Sequence, residues 1–201
     1  MKKIALCVLM ILILTGCTVV RINTDSIDTI VDVILSKDNT LYNRVGRGYK
    51  YYVPRGVTYI DTDETNDKLY SNGIYYYLYV DIIGYYQDIK MDYDEKSDDY
   101  YYRELSQDEG FKNNGYIKII EKDGLYYIDF VYNYAKIESV VSKEYLNEVI
   151  LNSAYILSTI QFNHEVIGLM VDSEKLNNRE EKYEIFKNKK NEDDSELQVY
   201  E

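Results

Sequence analysis

The sequence predicts an α+β fold: an antiparallel β-meander sheet with helices packed on it, an N-terminal helix ahead of the strands and a long C-terminal helix after them. Three observations predict it. An apolar stripe at helical spacing precedes the strands, turn signals separate alternating apolar and polar runs in the middle, and a second helical stripe follows. That order places helices on one face of a meander rather than between parallel strands.

Taken in order, Ile27, Ile30, Val31, Ile34 and Leu35 fall at i, i+3, i+4, i+7 and i+8, with Asp28 and Asp32 on the other side. This predicts a helix from about Ser26 to Ser36, capped by Asp25-Ser26. Tyr49 to Val53, Pro54-Arg55-Gly56 and Val57 to Ile60 read as a hairpin with a three-residue loop. Asn72-Gly73 predicts a two-residue turn leading into a long strand from about Ile74 to Tyr86. Asp123-Gly124 marks the clearest hairpin. Tyr126, Ile128, Phe130 and Tyr132 of its second strand face one way, and Tyr127, Asp129, Val131 and Asn133 the other. Ser142 opens a second long helix, whose stripe is Leu146, Val149, Ile150, Ala154, Leu157 and Ile160. Residues 92–114 read as an acidic loop, 174–189 as a weak polar helix, and the segment after it as an acidic tail. The layout is similar to the MOG1/PsbP-like arrangement of some exported lipoproteins, through the Tyr52-Val53-Pro54-Arg55-Gly56 hairpin and the closing helix near Ser142. The resemblance implies a sheet with helices on it and transfers no chemistry.

The first residues carry the most specific signal. Lys2 and Lys3 precede the uncharged apolar run Ile4 to Leu14, followed by Leu14-Thr15-Gly16-Cys17. The generic pattern is a secretory signal peptide. Its ending resembles the lipobox of bacterial lipoproteins. That resemblance implies cleavage before Cys17, diacylglycerol on its sulfur and tethering to the membrane. Two acyl chains suffice for stable anchoring where one does not. Residues 4–20 are uncharged, so an uncleaved signal anchor is the competing reading. The expected organisation is a signal peptide over 1–16, the lipidated cysteine and a short tether over 17–24, one α+β domain over 25–172 and a polar tail over 173–201. The expected location is the extracytoplasmic face of the cell membrane.

Composition narrows function by exclusion. Among 201 residues there are 35 acids, 23 Lys and Arg, one His, two Cys, no Trp and a net charge of −12. So acidic a chain argues against nucleic acid as the main partner. With Cys7 in the leader and Cys17 lipidated, no thiol remains for catalysis, metal binding or a disulfide. The expectation is a non-enzymatic chain without cofactor or metal. A hydrolase with an unidentified carboxylate pair ranks lowest.

Four features are left as candidate sites. Tyr75, Tyr77 and Tyr79 share one face of their strand, opposite a core face of Ile74, Tyr76, Leu78 and Val80. Tyrosine is enriched in interfaces, so this stripe is a candidate face for a protein or cell-envelope partner. Tyrosine also suits strands, so the stripe could instead lie under a helix or beside Tyr127. Arg44, Arg47, Lys50 and Arg55 form a basic island between Asp38 and Asp61, with Gly46 and Gly48 open to close approach. It could meet anionic headgroups, a phosphate or a carboxylate, or pair within the chain. The acidic turn Asp61–Asp67 could bind an ion but lacks the EF-hand glycine and final glutamate, and a solvated turn is favoured. His164-Glu165 lacks the second histidine of a zincin, since Gly168 stands there.

Overall fold

The computed structural model describes residues 26–89, 100–106 and 114–171. The expected leader with Cys17, the acidic run 92–99, the helix over 174–189 and the tail lie outside the described residues.

The fold is α+β. A seven-stranded antiparallel sheet has the order β3-β4-β5-β9-β8-β7-β6, with a small sheet of order β1-β2-β10 beside it. Its strands are β3 (Thr58–Asp63), β4 (Asn66–Ser71), β5 (Ile74–Val80), β6 (Tyr101–Ser106), β7 (Asn114–Lys122), β8 (Leu125–Tyr132) and β9 (Ala135–Val141). The small sheet holds β1 (Arg44–Val45), β2 (Tyr49–Tyr51) and β10 (Gln161–Phe162). The large sheet is two meanders joined at β5–β9. The chain leaves β5, returns at the far edge as β6 and works back to the centre.

The helices are α1 (Ile27–Leu35), α2 (Ile82–Gln87), α3 (Leu146–Ser158) and α4 (His164–Val171), with a 3-10 turn at Lys143–Tyr145 ahead of α3. The predicted faces of α1 and α3 are the buried ones: Ile30, Val31, Ile34 and Leu35, then Leu146, Val149, Ile150, Ala154 and Leu157. α1 packs on α3, and α3 on β8 and β9. The sheet side of this core is Tyr76, Leu78, Ile117, Ile119, Ile128, Phe130 and Ile137, all essentially without solvent contact. Among the described residues no helix is long and apolar enough to cross a membrane.

Local chemistry explains the turns. Asn72-Gly73 and Asp123-Gly124 take positive φ at both positions, the two-residue geometry that matches strand twist. Ser71 pairs with Ile74 and so belongs to the strand rather than the turn. Asn133 and Tyr134 close β8–β9 with the same signs, a turn with no glycine to announce it.

Four expectations need correction. Pro54 to Val57 does turn, with the Val57 amide donating to the Pro54 carbonyl at 3.1 Å, but the flanking strands do not pair. β2 pairs with β1 and β10, and β3 with β4, so this turn passes the chain from one sheet to the other. The long strand stops at Val80. The Asp81 carboxylate accepts from the Gly84 amide at 2.7 Å and starts α2, which Asp88 ends in a left-handed conformation. Residues 101–106 are an edge strand rather than loop. Gly48 approaches its own chain and not a ligand: a Cβ there would lie 2.6 Å from Ile167, while the Asn163 amide donates to the Gly48 carbonyl at 2.8 Å.

Candidate functional site

Strand register fixes which side chains share the sheet face opposite α1 and α3. Cross-strand pairing lays Asp61, Lys68, Tyr77, Glu138, Asp129 and Lys118 in one row across six strands. The adjoining rows bring Tyr70 beside Tyr75, and Tyr79 beside Lys136. Tyr75, Tyr77 and Tyr79 thus do lie on one face, as alternation along β5 requires, and all three are half-buried.

The stripe divides into two chemically different parts. Tyr79 belongs to an enclosed polar cluster. Lys136 is only 5% exposed, makes an ion pair with Glu138 and holds its ammonium 5.2 Å from the Tyr79 ring centroid. Burial, then the Glu138 charge and hydrogen bond, pushes the Tyr79 phenol above its ordinary range. Burial also raises the Asp129 carboxyl. Lys136 and Lys118 oppose that rise, and Glu138, directly across the strand pair, adds to it.

Tyr75 and Tyr77 belong to an open part. Their ring centroids are 6.3 Å apart, and Tyr70 lies 5.2 Å from Tyr75. The Lys68 ammonium sits 4.5 Å from the Tyr75 centroid and 5.5 Å from that of Tyr77. Among the described residues, the hydroxyls of Tyr70, Tyr75 and Tyr77 and the Lys68 ammonium have no hydrogen-bond or carboxylate partner, and none is sealed from solvent. The two described acids nearest Lys68 in the register make other contacts. Asp61, opposite Lys68, accepts from the Thr62 amide at 2.8 Å, and Glu138 is held by Lys136.

The four basic residues of the 44–55 segment do not converge. Arg44 faces the same side as Tyr51, and Lys50 the opposite side with Val45. The Arg44 guanidinium lies over the Tyr59 ring at 3.2 Å, and Lys50 over the exposed Tyr42 ring at 4.0 Å. Arg47 is exposed in the β1–β2 turn and Arg55 in the Pro54 turn.

The acidic turn separates too. Asp61 and Asp63 are exposed, while Asp67 is 3% exposed and accepts 2.5 Å bonds from Tyr51 and Thr62. Burial, then donation to Asp67, keeps the Tyr51 phenol far above its usual range, and burial next to Asp67 raises Tyr49 similarly. This network was missed in the sequence, and alternation alone could not reveal it. A bulge at Ile60 shifts the register of β3 and brings Tyr59 and Thr62 to one face. His164 is exposed and stacks on Tyr86 at 4.8 Å. Among the described residues no group of three or more His, Cys, Asp or Glu could hold a metal ion.

The Lys68–Tyr70–Tyr75–Tyr77 face therefore offers aromatic surface, three phenol donors and one cation at a single place. Comparison with protein-family models, with curated proteins and with solved structures found no match to this chain.

Proposed function

We propose that this chain is an exported bacterial lipoprotein, anchored through Cys17 at the outer face of the cell membrane, and that its domain is a non-enzymatic binding module for a protein or cell-envelope partner. Leu14-Thr15-Gly16-Cys17 supports the anchor. One observation carries the binding reading: Lys68, Tyr70, Tyr75 and Tyr77 gather on the face opposite the packed helices, and their ammonium and hydroxyls have no hydrogen-bond or carboxylate partner among the described residues. Half-buried rings whose hydroxyls have no partner among the described residues supply the rigid, amphipathic contact area that interfaces favour.

The anchor is tested by expressing the full chain and Cys17→Ser in a bacterium that processes lipoproteins. The native chain should fractionate with membranes, incorporate labelled lipid and lose its leader, and Cys17→Ser should not. A Cys17→Ser protein that stays on membranes with an unshortened leader establishes the signal anchor instead. The binding face is tested with isolated cell envelopes. Tyr75→Ala with Tyr77→Ala should abolish retention while the variant keeps a cooperative unfolding transition. Undiminished retention contradicts the reading.

A further inference from the structure

We propose that the Lys68–Tyr70–Tyr75–Tyr77 face binds an acidic glycan, a sugar chain whose rings carry carboxylate or phosphate groups. This deepens the binding reading above and rests on it.

The geometry assigns a part to each group. Rings of Tyr75 and Tyr77, with centroids 6.3 Å apart and planes inclined by 35°, lie side by side along one face of β5. Aromatic faces take the C–H-bearing side of sugars because that side is apolar while its rim is polar. Hydroxyls of Tyr70, Tyr75 and Tyr77 are unpaired among the described residues and can donate to or accept from sugar hydroxyls around that rim.

Lys68 selects for charge. Its ammonium lies over the Tyr75 and Tyr77 rings, 4.5 and 5.5 Å from their centroids. It has no carboxylate partner among the described residues, in a chain with a net charge of −12. Of the other cations on this face, Lys136 is paired with Glu138 and Lys118 stands beside Asp129, while Lys122 lies at the far end of β7. An ammonium and phenols without hydrogen-bond or carboxylate partners among the described residues complement an anion set among hydroxyls. A purely apolar peptide would leave all four polar groups unsatisfied. A cationic ligand would meet Lys68 where its own charge would have to sit.

The test uses the full chain and three probes of equal length in titration calorimetry: a carboxylated oligogalacturonate, a phosphorylated oligomannose and a neutral oligomannose. At least one acidic probe should bind and the neutral one should bind at least about tenfold more weakly, the scale of a single charge-assisted bond. Which acidic probe binds names the source of the anion. Lys68→Gln should bring the acidic probe down to the neutral level, and raised salt should do the same. Tyr77→Phe, which keeps the ring, should weaken both classes severalfold. Equal binding of neutral and acidic probes, unchanged by Lys68→Gln, overturns the acidic assignment and leaves a binding face. Absence of binding by every probe also overturns it. Protection of Tyr75 and Tyr77 on cells then shows separately whether the face has some other partner.

Discussion

The Tyr51 hydroxyl donates to the buried Asp67 carboxylate at 2.5 Å, and this bond joins the small sheet to the large one. Thr62 donates to the other carboxylate oxygen, also at 2.5 Å, and the Tyr59 hydroxyl lies 2.5 Å from Thr62 Oγ1. A buried carboxylate is tolerated when its lone pairs are filled, and is costly when they are not. Tyr51→Phe keeps the ring and strips one donor. It should destabilise the domain by about 1–3 kcal/mol, read as a lower urea midpoint at unchanged slope. An unchanged midpoint would mean that water replaces the phenol.

α1 is held to the far edge of the sheet by Arg103. Its guanidinium reaches Asp28 at 3.0 Å and Asp32 at 2.5 Å, one helical turn apart, and the Tyr101 hydroxyl donates to Asp28 at 2.7 Å. Isolated exposed pairs contribute little, but one fork on two carboxylates is a small network. Arg103→Met should cost about 1 kcal/mol at low salt and less at 1 M salt. A loss independent of salt would point to packing instead of charge.

Gly115 on β7 faces Tyr132, and a Cβ there would lie 1.9 Å from the Val131 carbonyl oxygen. The obstacle is the paired backbone of β8, itself flanked by β9, so it has little room to give. Gly115→Ala should cost about 2 kcal/mol or more by overpacking, measured as a fall in Tm. Gly124→Ala, in the open turn of the same hairpin with nothing within 4 Å, should cost only the backbone strain of its positive φ, about 1 kcal/mol.

Asp129 sets a pH dependence. Burial and Glu138 raise its folded carboxyl above the ordinary range, so the folded state favours the protonated form. Its contribution to stability is complete below the unfolded carboxylate range and falls as pH rises through the folded value. Asp129→Asn should flatten that decline and raise the urea midpoint at pH 7 relative to the native chain. A decline that persists in the variant assigns it to other groups.

The fold was legible where local pattern decides it. The face of α1, the stripe of α3, the alternation of β8 and the Asn-Gly and Asp-Gly turns all follow from spacing and turn chemistry. Three elements were hidden by tertiary choices. β5 ends early because Asp81 caps a helix inside a run of Ile and Tyr that reads as strand. β6 escapes notice because it is a polar edge strand whose inward Arg103 is satisfied by α1. β2 pairs with β10, contributed by residues 161 and 162, and no local signal encodes so distant a partner. Of the candidate site, alternation placed Tyr75, Tyr77 and Tyr79 on one face. It could not separate the enclosed Tyr79 from the open pair, because Lys68, Tyr70, Lys136 and Glu138 come from neighbouring strands. The basic island of 44–55 looked joint in sequence, yet strand alternation sends Arg44 and Lys50 to opposite sides.

Engagement of the open tyrosine face on the cell is read by tyrosine footprinting. Purified full-length protein and intact cells carrying it are iodinated under matched conditions, and each tyrosine is quantified by mass spectrometry. Exposed Tyr42 and Tyr145, away from this face, serve as internal references. Tyr75 and Tyr77 should react in the purified protein and be protected several-fold on cells, while the references react alike in both. Equal modification of Tyr75 and Tyr77 in the two settings would contradict that engagement.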